Sequence, residues 1–308
     1  MIELWRGSVN AWECDELGHF NVRFYLARAA EAVASLAEAA GLNPVLAPDA
    51  TATLIARDIH VRFLAEARPG APLYIEGGFL DHDDVSATAI LVMRHSASGT
   101  PAASFRIELL HAAPRSGRGF AWPQRFAAGA DALKTTLPDF AAPRGLVPSG
   151  APTGASREQA DSLGLEIVGR GRFGIEEMDG FGRLRTEFLL GRVSDSVTNF
   201  ASAFPEEWAM HAGTDTGEPV ASALLECHIR PHHWPRTGDG FEIRSGLKSC
   251  GPRVRNIVHW VLDTATGRPW WTMEGVAAPM DLAARRLRVV PDDIQARIAA
   301  VRIDGLET

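Results

Sequence analysis

Cysteine, long apolar runs and surplus positive charge are all scarce in this chain, and each scarcity closes a route. Three cysteines (Cys14, Cys227, Cys250) in 308 residues are too few and too scattered for a disulfide framework, so free thiols and a reducing compartment are expected. No run approaches the roughly 20 apolar residues that cross a bilayer, and the opening MIELWRGSVN has no apolar core or cleavage signal of a secretory leader. A cytoplasmic location, away from membranes, is the expectation. A net charge of -7 argues against nucleic acid as a partner, whose phosphates demand a basic surface. No Gly-rich phosphate fingerprint stands between a strand and a helix, so no nucleotide cofactor is expected. The remainder, 46% hydrophobic and 22% charged, is ordinary for a globular protein of about two domains.

What the chain does have is a repeat. At an offset of 164, Arg6, Gly7, Glu13, Asp15, Gly18, Phe24, Leu26, Arg28 and Val33 meet Arg170, Gly171, Glu177, Asp179, Gly182, Phe188, Leu190, Arg192 and Val197. Further on the offset becomes 168, and His60, Arg62, Arg68, Gly70, Ile75, Gly78, Gly99 and Pro101 meet His228, Arg230, Arg236, Gly238, Ile243, Gly246, Gly267 and Pro269. Solenoid units are about 20 to 50 residues long, so a repeat of this length is a domain duplication that suggests a fused dimer.

Each copy reads as a strand, a long helix and an antiparallel meander. In the first, Trp5 to Trp12 alternates loosely, Asp15 to Gly18 turns the chain, and Asn21 is placed to cap a helix reaching about Ala40. Its apolar positions Val22, Leu26, Ala29, Val33, Leu36 and Ala40 recur at spacings of three and four, and Gly41 and Pro44 end it. Extended stretches follow at Leu54–Leu64, Leu73–Asp81, Val85–Arg94 and Ala102–His111. The second copy predicts a strand at Glu166–Ile175, a helix from Arg185 to Phe204, and strands at Ala223–Arg230, Gly240–Leu247, Val254–Asp263 and Pro269–Ala277. This divides the chain into a domain at 1–113, a Pro/Gly/Ala-rich linker at 114–156, a domain at 157–280 and a tail at 281–308. Short helices are expected at Gln124–Leu133 and after Pro291.

Residues Trp12, Cys14, Asp15, Gly18, His19, Asn21, Phe24 and Tyr25 spell an Asp, a short turn, Gly-His-x-Asn and an aromatic in the first helical turn. This pattern resembles that of the 4-hydroxybenzoyl-CoA thioesterase family of acyl-CoA hydrolases, and both copies resemble hotdog-fold domains. The resemblance implies an α+β fold of two tandem hotdogs, each an antiparallel sheet wrapped around a long central helix. It also implies a pseudo-dimer within one chain, open to further homo-oligomerisation.

Thioester hydrolysis needs a nucleophile or base, and donors for the oxyanion formed at the carbonyl. The resemblance implies that Asp15 attacks the thioester carbonyl or deprotonates a water; read without it, Asp15 is first a turn or capping residue. Gly18 removes a Cβ so that an acyl group can approach, and the free N–H groups near His19 to Val22, at the helix's positive end, are the expected oxyanion hole. His19 is either a substrate-orienting or proton-shuttling group or a hydrogen-bonded filler; Asn21 either holds a water or caps the helix. The second copy keeps Asp179 and Gly182 but places Arg183 and Arg185 where His19 and Asn21 stand, so it is not expected to catalyse. Those arginines read as solvated or as contacts for CoA phosphates.

Cys227, His228, His232 and His233 are zinc-ligand types, yet neighbours in a strand face opposite ways, so no metal is expected. Trp270 and Trp271 read as packing. The function expected is hydrolysis of an acyl-CoA or acyl-carrier-protein thioester without cofactor. A double-hotdog hydratase or dehydratase and a non-catalytic acyl-binding module are the alternatives.

Overall fold

Three-and-four spacing in one segment and alternation in the next fix the order of elements in the computed structural model, which describes residues 1–146, 154–213, 220–281 and 286–307. The expected linker and tail therefore lie partly outside the described residues. Two compact units result: Met1–Ala142 with Gly174–Gly191, and Pro143–Phe173 with Arg192–Thr308. No helix among the described residues is long and apolar enough to cross a membrane.

In the first unit, β1 (Ile2–Ser8) is followed by α1 (Val22–Ala39) and by β2 (Thr53–Phe63), β3 (Pro72–His82), β4 (Ser86–His95) and β5 (Pro101–Ala112). The strands pair antiparallel in the order β1-β3-β4-β5-β2. Along α1, Leu26, Ala29, Ala32 and Leu36 are wholly buried. Alanines at alternate turns favour the helix intrinsically and let strands come close, while the leucines supply most of the buried apolar area. Asn21 starts the helix by accepting the Arg23 N–H on Oδ1 at 2.9 Å. The helix α2 (Gln124–Ala132) forms as expected and is held by stacking of Trp122 on Phe126, 3.9 Å between centroids, and of His111 on Trp122 at 4.6 Å.

The second unit contains α3 (Arg157–Ser162), β6 (Glu166–Arg172), the end of α4 (Glu187–Ser194), α5 (Pro205–His211), β7 (Val220–Pro231), β8 (Gly240–Cys250), β9 (Arg255–Asp263), β10 (Pro269–Asp281), β11 (Arg286–Leu287) and α6 (Asp292–Ala299). Its sheet runs β7-β10-β9-β8-β6, again antiparallel, with β11 on β10. The order mirrors the first unit strand for strand. The β4–β5 and β9–β10 turns close with the same bond, Gly99 N–H to His95 O and Gly267 N–H to Asp263 O, both 2.8 Å. Trp271 is fully buried, and Trp270 donates from Nε1 to Gly240 O at 3.1 Å, so both pack into the fold. Cys227 and His228 stand opposite Gly275 and Glu274 in the β7–β10 ladder, on opposite faces of the sheet.

Three expectations need correction. The first strand ends at Ser8 rather than Trp12, because Asn10 and Glu13 form a capping box around a 3-10 turn at Ala11–Glu13. The second copy's helix does not run from 185 to 204: α4 stops at Ser194, a 3-10 turn follows at Val197–Asn199, and α5 begins at Pro205. The run Ser194-Asp195-Ser196 with Thr198 and Asn199 supplies side chains that compete with the helical backbone, and Asn199 donates instead to Val168 O at 3.0 Å. Third, the compact units divide the chain elsewhere than the repeat does. Gly174–Gly191 packs in the first unit, where Arg183 Nη2 donates to Thr53 Oγ1 at 3.3 Å and the Arg23 guanidinium lies 3.9 Å from the Phe188 ring centroid.

Two outcomes are expected from this packing. Leu36→Ala removes a wholly buried side chain and should cost about 2 to 5 kcal/mol in urea denaturation; a loss under about 1 kcal/mol would place α1 outside the core. In the second unit, burial pushes His259 down to about 3 and His232 to about 4, from 6.5. The unfolded chain then binds more protons than the folded one below pH 6.5, so their contribution is intact above that pH and is lost as pH falls towards 4. His259 Nδ1 lies 2.7 Å from Ser245 Oγ, a contact that asparagine can mimic without titrating. His259→Asn should therefore lose less stability than the unaltered protein between pH 7 and pH 5; equal losses would remove His259 from the account.

Candidate active site

The site is built on a buried glutamate. Glu13, 2% exposed, accepts the Asn10 backbone N–H at 2.9 Å and Asn10 Nδ2 at 3.0 Å on Oε2, and pairs through Oε1 with Arg28 Nη2 of α1. Its carbonyl takes the Asn21 N–H at 2.9 Å. One residue thus ties the end of the 3-10 turn to both the cap and the second turn of α1. The intervening residues close as a tight loop, with Cys14 bridged to Phe20.

Within that loop Asp15 is held by amides. Its N–H donates to His19 O at 2.9 Å, its carbonyl accepts Gly18 N–H at 3.0 Å, and Oδ1 accepts the N–H of Leu17 at 3.0 Å and of His19 at 2.9 Å. Oδ2 has no hydrogen-bond partner among the described residues, so one carboxylate oxygen is fixed and the other presented. Gly18 sits at φ +73°, a left-handed conformation that side chains resist. A Cβ there would meet nothing within 4 Å, so the backbone needs glycine for its dihedral and the space above it is open.

His19 is mostly buried, and Nε2 lies 3.5 Å from Glu66 Oε2 without a hydrogen bond. Asn21 takes the capping role. Tyr25 is buried, its ring 4.6 Å from Phe20 and 5.3 Å from Phe63, and burial pushes its phenol upward despite a hydrogen bond with the Ala67 backbone. Burial, then the charges of Asp15 and Glu13, raises the Cys14 thiol, which argues against a thiolate nucleophile here. All four expected residues, Asp15, Gly18, His19 and Asn21, therefore share one loop and helix start.

The expected oxyanion hole is narrower than the sequence suggests. The N–H of His19 goes to Asp15, that of Phe20 to Ala67 O at 2.9 Å, that of Asn21 to Glu13 O, and that of Arg23 to Asn21 Oδ1. Tight closure of the loop uses them. Only the Val22 N–H, at the first helical position, has no acceptor among the described residues.

The second copy reproduces this loop bond for bond. Asp179 N–H donates to Arg183 O at 2.7 Å, Gly182 N–H to Asp179 O at 3.0 Å, and Asp179 Oδ1 accepts Phe181 N–H at 2.8 Å and Arg183 N–H at 2.9 Å. Arg185 N–H donates to Glu177 O at 2.9 Å, as Asn21 does to Glu13. The difference is at the second oxygen: Asp179 Oδ2 accepts Arg183 Nε at 3.2 Å and Nη2 at 3.0 Å. Arg183 is buried in this pair, and Arg185 is spent on Glu176 O at 2.8 Å and Glu187 Oε1 at 3.2 Å. Arg183 is thus closed off from solvent, whereas the Arg185 side chain remains about 40% exposed.

Glu13 and Arg28 were not singled out from the sequence, although both recur in the repeat as Glu177 and Arg192. Glu66 had no such signal, since Trp234 stands at its repeat position.

A small apolar cavity of about 70 Å³ lies in the first unit, walled by Leu26, Ala30 and Val33 of α1, Leu54 of β2, Ile107 of β5 and by Thr186.

The sequence matches the family model of the Thioesterase-like superfamily over residues 9–130 and 173–298. No curated protein matches it. Among solved structures it is similar to a Lactobacillus plantarum protein described as an oleoyl thioesterase, with 10% identity, a TM-score of 0.67, and 94% of this chain and 96% of the other covered. An acyl-ACP thioesterase from Bacteroides thetaiotaomicron gives 8% identity and a TM-score of 0.62, covering 89% of this chain and 96% of its own. A 12:0-ACP thioesterase from Umbellularia californica gives 9%, 0.60, 89% and 93%. At such identities the structures share the fold, and the family match over both copies carries the assignment. The chain belongs to the Thioesterase-like superfamily, as a thioester hydrolase of two tandem hotdog domains.

Proposed function

We propose that the protein hydrolyses an acyl thioester of CoA or of acyl-carrier protein at the Asp15 loop, and that the Asp179 loop is a structural copy. The contrast between the two loops carries this reading: identical backbone bonding, with Asp15 Oδ2 left open and Asp179 Oδ2 closed by Arg183. Two amides orient Asp15 through Oδ1, so Oδ2 is the atom that attacks the thioester carbonyl or takes a proton from water. The Val22 N–H and the positive end of α1 face the developing oxyanion, and His19 Nε2 is the buried polar atom available to the substrate or the departing thiolate. The apolar wall of α1 suits the acyl chain. Release of free thiol from a panel of acyl-CoAs and acyl-carrier proteins, with enoyl-CoA hydration followed in parallel, tests the reading. Hydration without hydrolysis would replace it with a hydratase, and binding without turnover would leave an acyl-binding module.

Asp15→Asn keeps an acceptor for Leu17 and His19 but loses the anion, so turnover should fall about 100-fold or more with Tm changed by about 2 °C or less. Asp179→Asn should change turnover by about threefold or less. Equal losses would show two working sites, and a loss in Asp179→Asn alone would place the chemistry in the second loop.

The oxyanion donor has its own test. Val22 occupies the first helical position, where proline is tolerated, and Asn21 already holds the extended ψ of 137° that precedes proline well. Val22→Pro thus deletes one N–H with little other change. It should lower kcat about 100-fold against a Val22→Ala control of near-normal activity, with helix content by circular dichroism unchanged. Full activity in Val22→Pro would exclude this amide.

A further inference from the structure

The second unit carries a feature that thioester hydrolysis at the Asp15 loop does not use. Arg157 of α3, Arg170 and Arg172 of β6 and Arg244 of β8 border one concavity of about 530 Å³, together with Gly171, Phe241, Glu242 and Thr264. That volume falls within the range of small-molecule sites. Four guanidinium groups converge there on a chain whose net charge is -7.

Each arginine is anchored on one edge. Arg170 donates from Nε at 2.8 Å and Nη2 at 2.5 Å to Glu242 Oε2, whose other oxygen takes Arg244 Nε. Arg244 also donates to Leu165 O at 3.2 Å and Asp161 Oδ1 at 2.6 Å. Arg157 Nη2 is tied to Asp263 O at 3.2 Å and Thr264 O at 2.9 Å, and Arg172 Nη1 to Gly238 O at 2.9 Å. Among the described residues, Arg157 Nε and Nη1, Arg170 Nη1, and Arg172 Nε and Nη2 have no acceptor. The side chains are held in place while three donor edges remain open, so a ligand would not bear the full cost of ordering them.

The repeat supplies an internal comparison. Across the β1–β3 ladder Arg6 faces Tyr74, and across the β6–β8 ladder Arg170 faces Glu242 in the same register. The first unit has Ser8 where the second has Arg172, and Glu76 where it has Arg244. The fold itself does not call for the cluster.

We infer that this concavity binds a small molecule carrying two or more phosphate groups. Guanidinium forks match phosphate oxygens in pairs, and a carboxylate is saturated by one such fork, whereas three separated open edges call for several anionic oxygens spread over the site.

Calorimetric titration of the full chain with inorganic pyrophosphate and with ADP tests this directly, and it reads binding alone, whatever the outcome at Asp15. Both should bind, more tightly at low salt. The double variant Arg157→Gln, Arg172→Gln should weaken both at least tenfold with Tm unchanged, because neither residue holds Glu242; Arg6→Gln, at the matching place in the first unit, should leave binding as it was. If the double variant loses Tm, Arg172→Lys, which keeps the charge and removes the fork, takes its place and should weaken pyrophosphate several-fold. Absence of binding at millimolar concentration, or affinity unaltered in the variants, overturns the assignment.

Discussion

A carboxylate held inside the protein, Glu13 at the end of the first 3-10 turn, is the constraint on which the rest of the site depends. Its two oxygens and its carbonyl together engage Asn10, Arg28 and Asn21, so the strand-to-helix corner has few degrees of freedom left. Such an ion pair need contribute little net stability, because desolvation offsets most of its attraction. Its value lies in registration: with the corner fixed, four residues form a loop in which the Asp15 carboxylate can point only one way.

The corner occurs twice in the chain, and the bonding of the two aspartates differs at the second carboxylate oxygen. In the first loop Oδ2 of Asp15 has no hydrogen-bond partner among the described residues, while Oδ1 takes two amides. In the second, Arg183 pairs with Asp179 and adds a bond to Thr53 of β2. The same carboxylate oxygen is thus open in one copy and closed by a neighbouring cation in the other.

The strands of both meanders and the helix α1 were legible because burial on one face imposes period two or near four on the sequence, and those periods survive in β2–β5 and β7–β10. The candidate site was legible as a cluster, since Asp15, Gly18, His19 and Asn21 fall within seven positions. Other features depend on contacts that periodicity does not encode. Tight closure of the loop consumed the amides of His19, Phe20 and Asn21, which no spacing announces. The break after Ser194 came from a polar run whose side chains compete with the helix, a local signal outweighed in the reading by the repeat with α1. The pairing of Asp179 with Arg183 is encoded as an i to i+4 acid–base spacing, a signal that holds equally for a solvated pair and so does not by itself place the arginine on the carboxylate.

One feature of the chain path bears on how such a protein can be taken apart. The eighteen residues Gly174–Gly191 lie beyond the linker in sequence yet belong to the first unit, while the chain on either side of them belongs to the second. A gene divided at the repeat boundary would therefore encode two polypeptides, one lacking part of its own unit and the other carrying a piece foreign to its own.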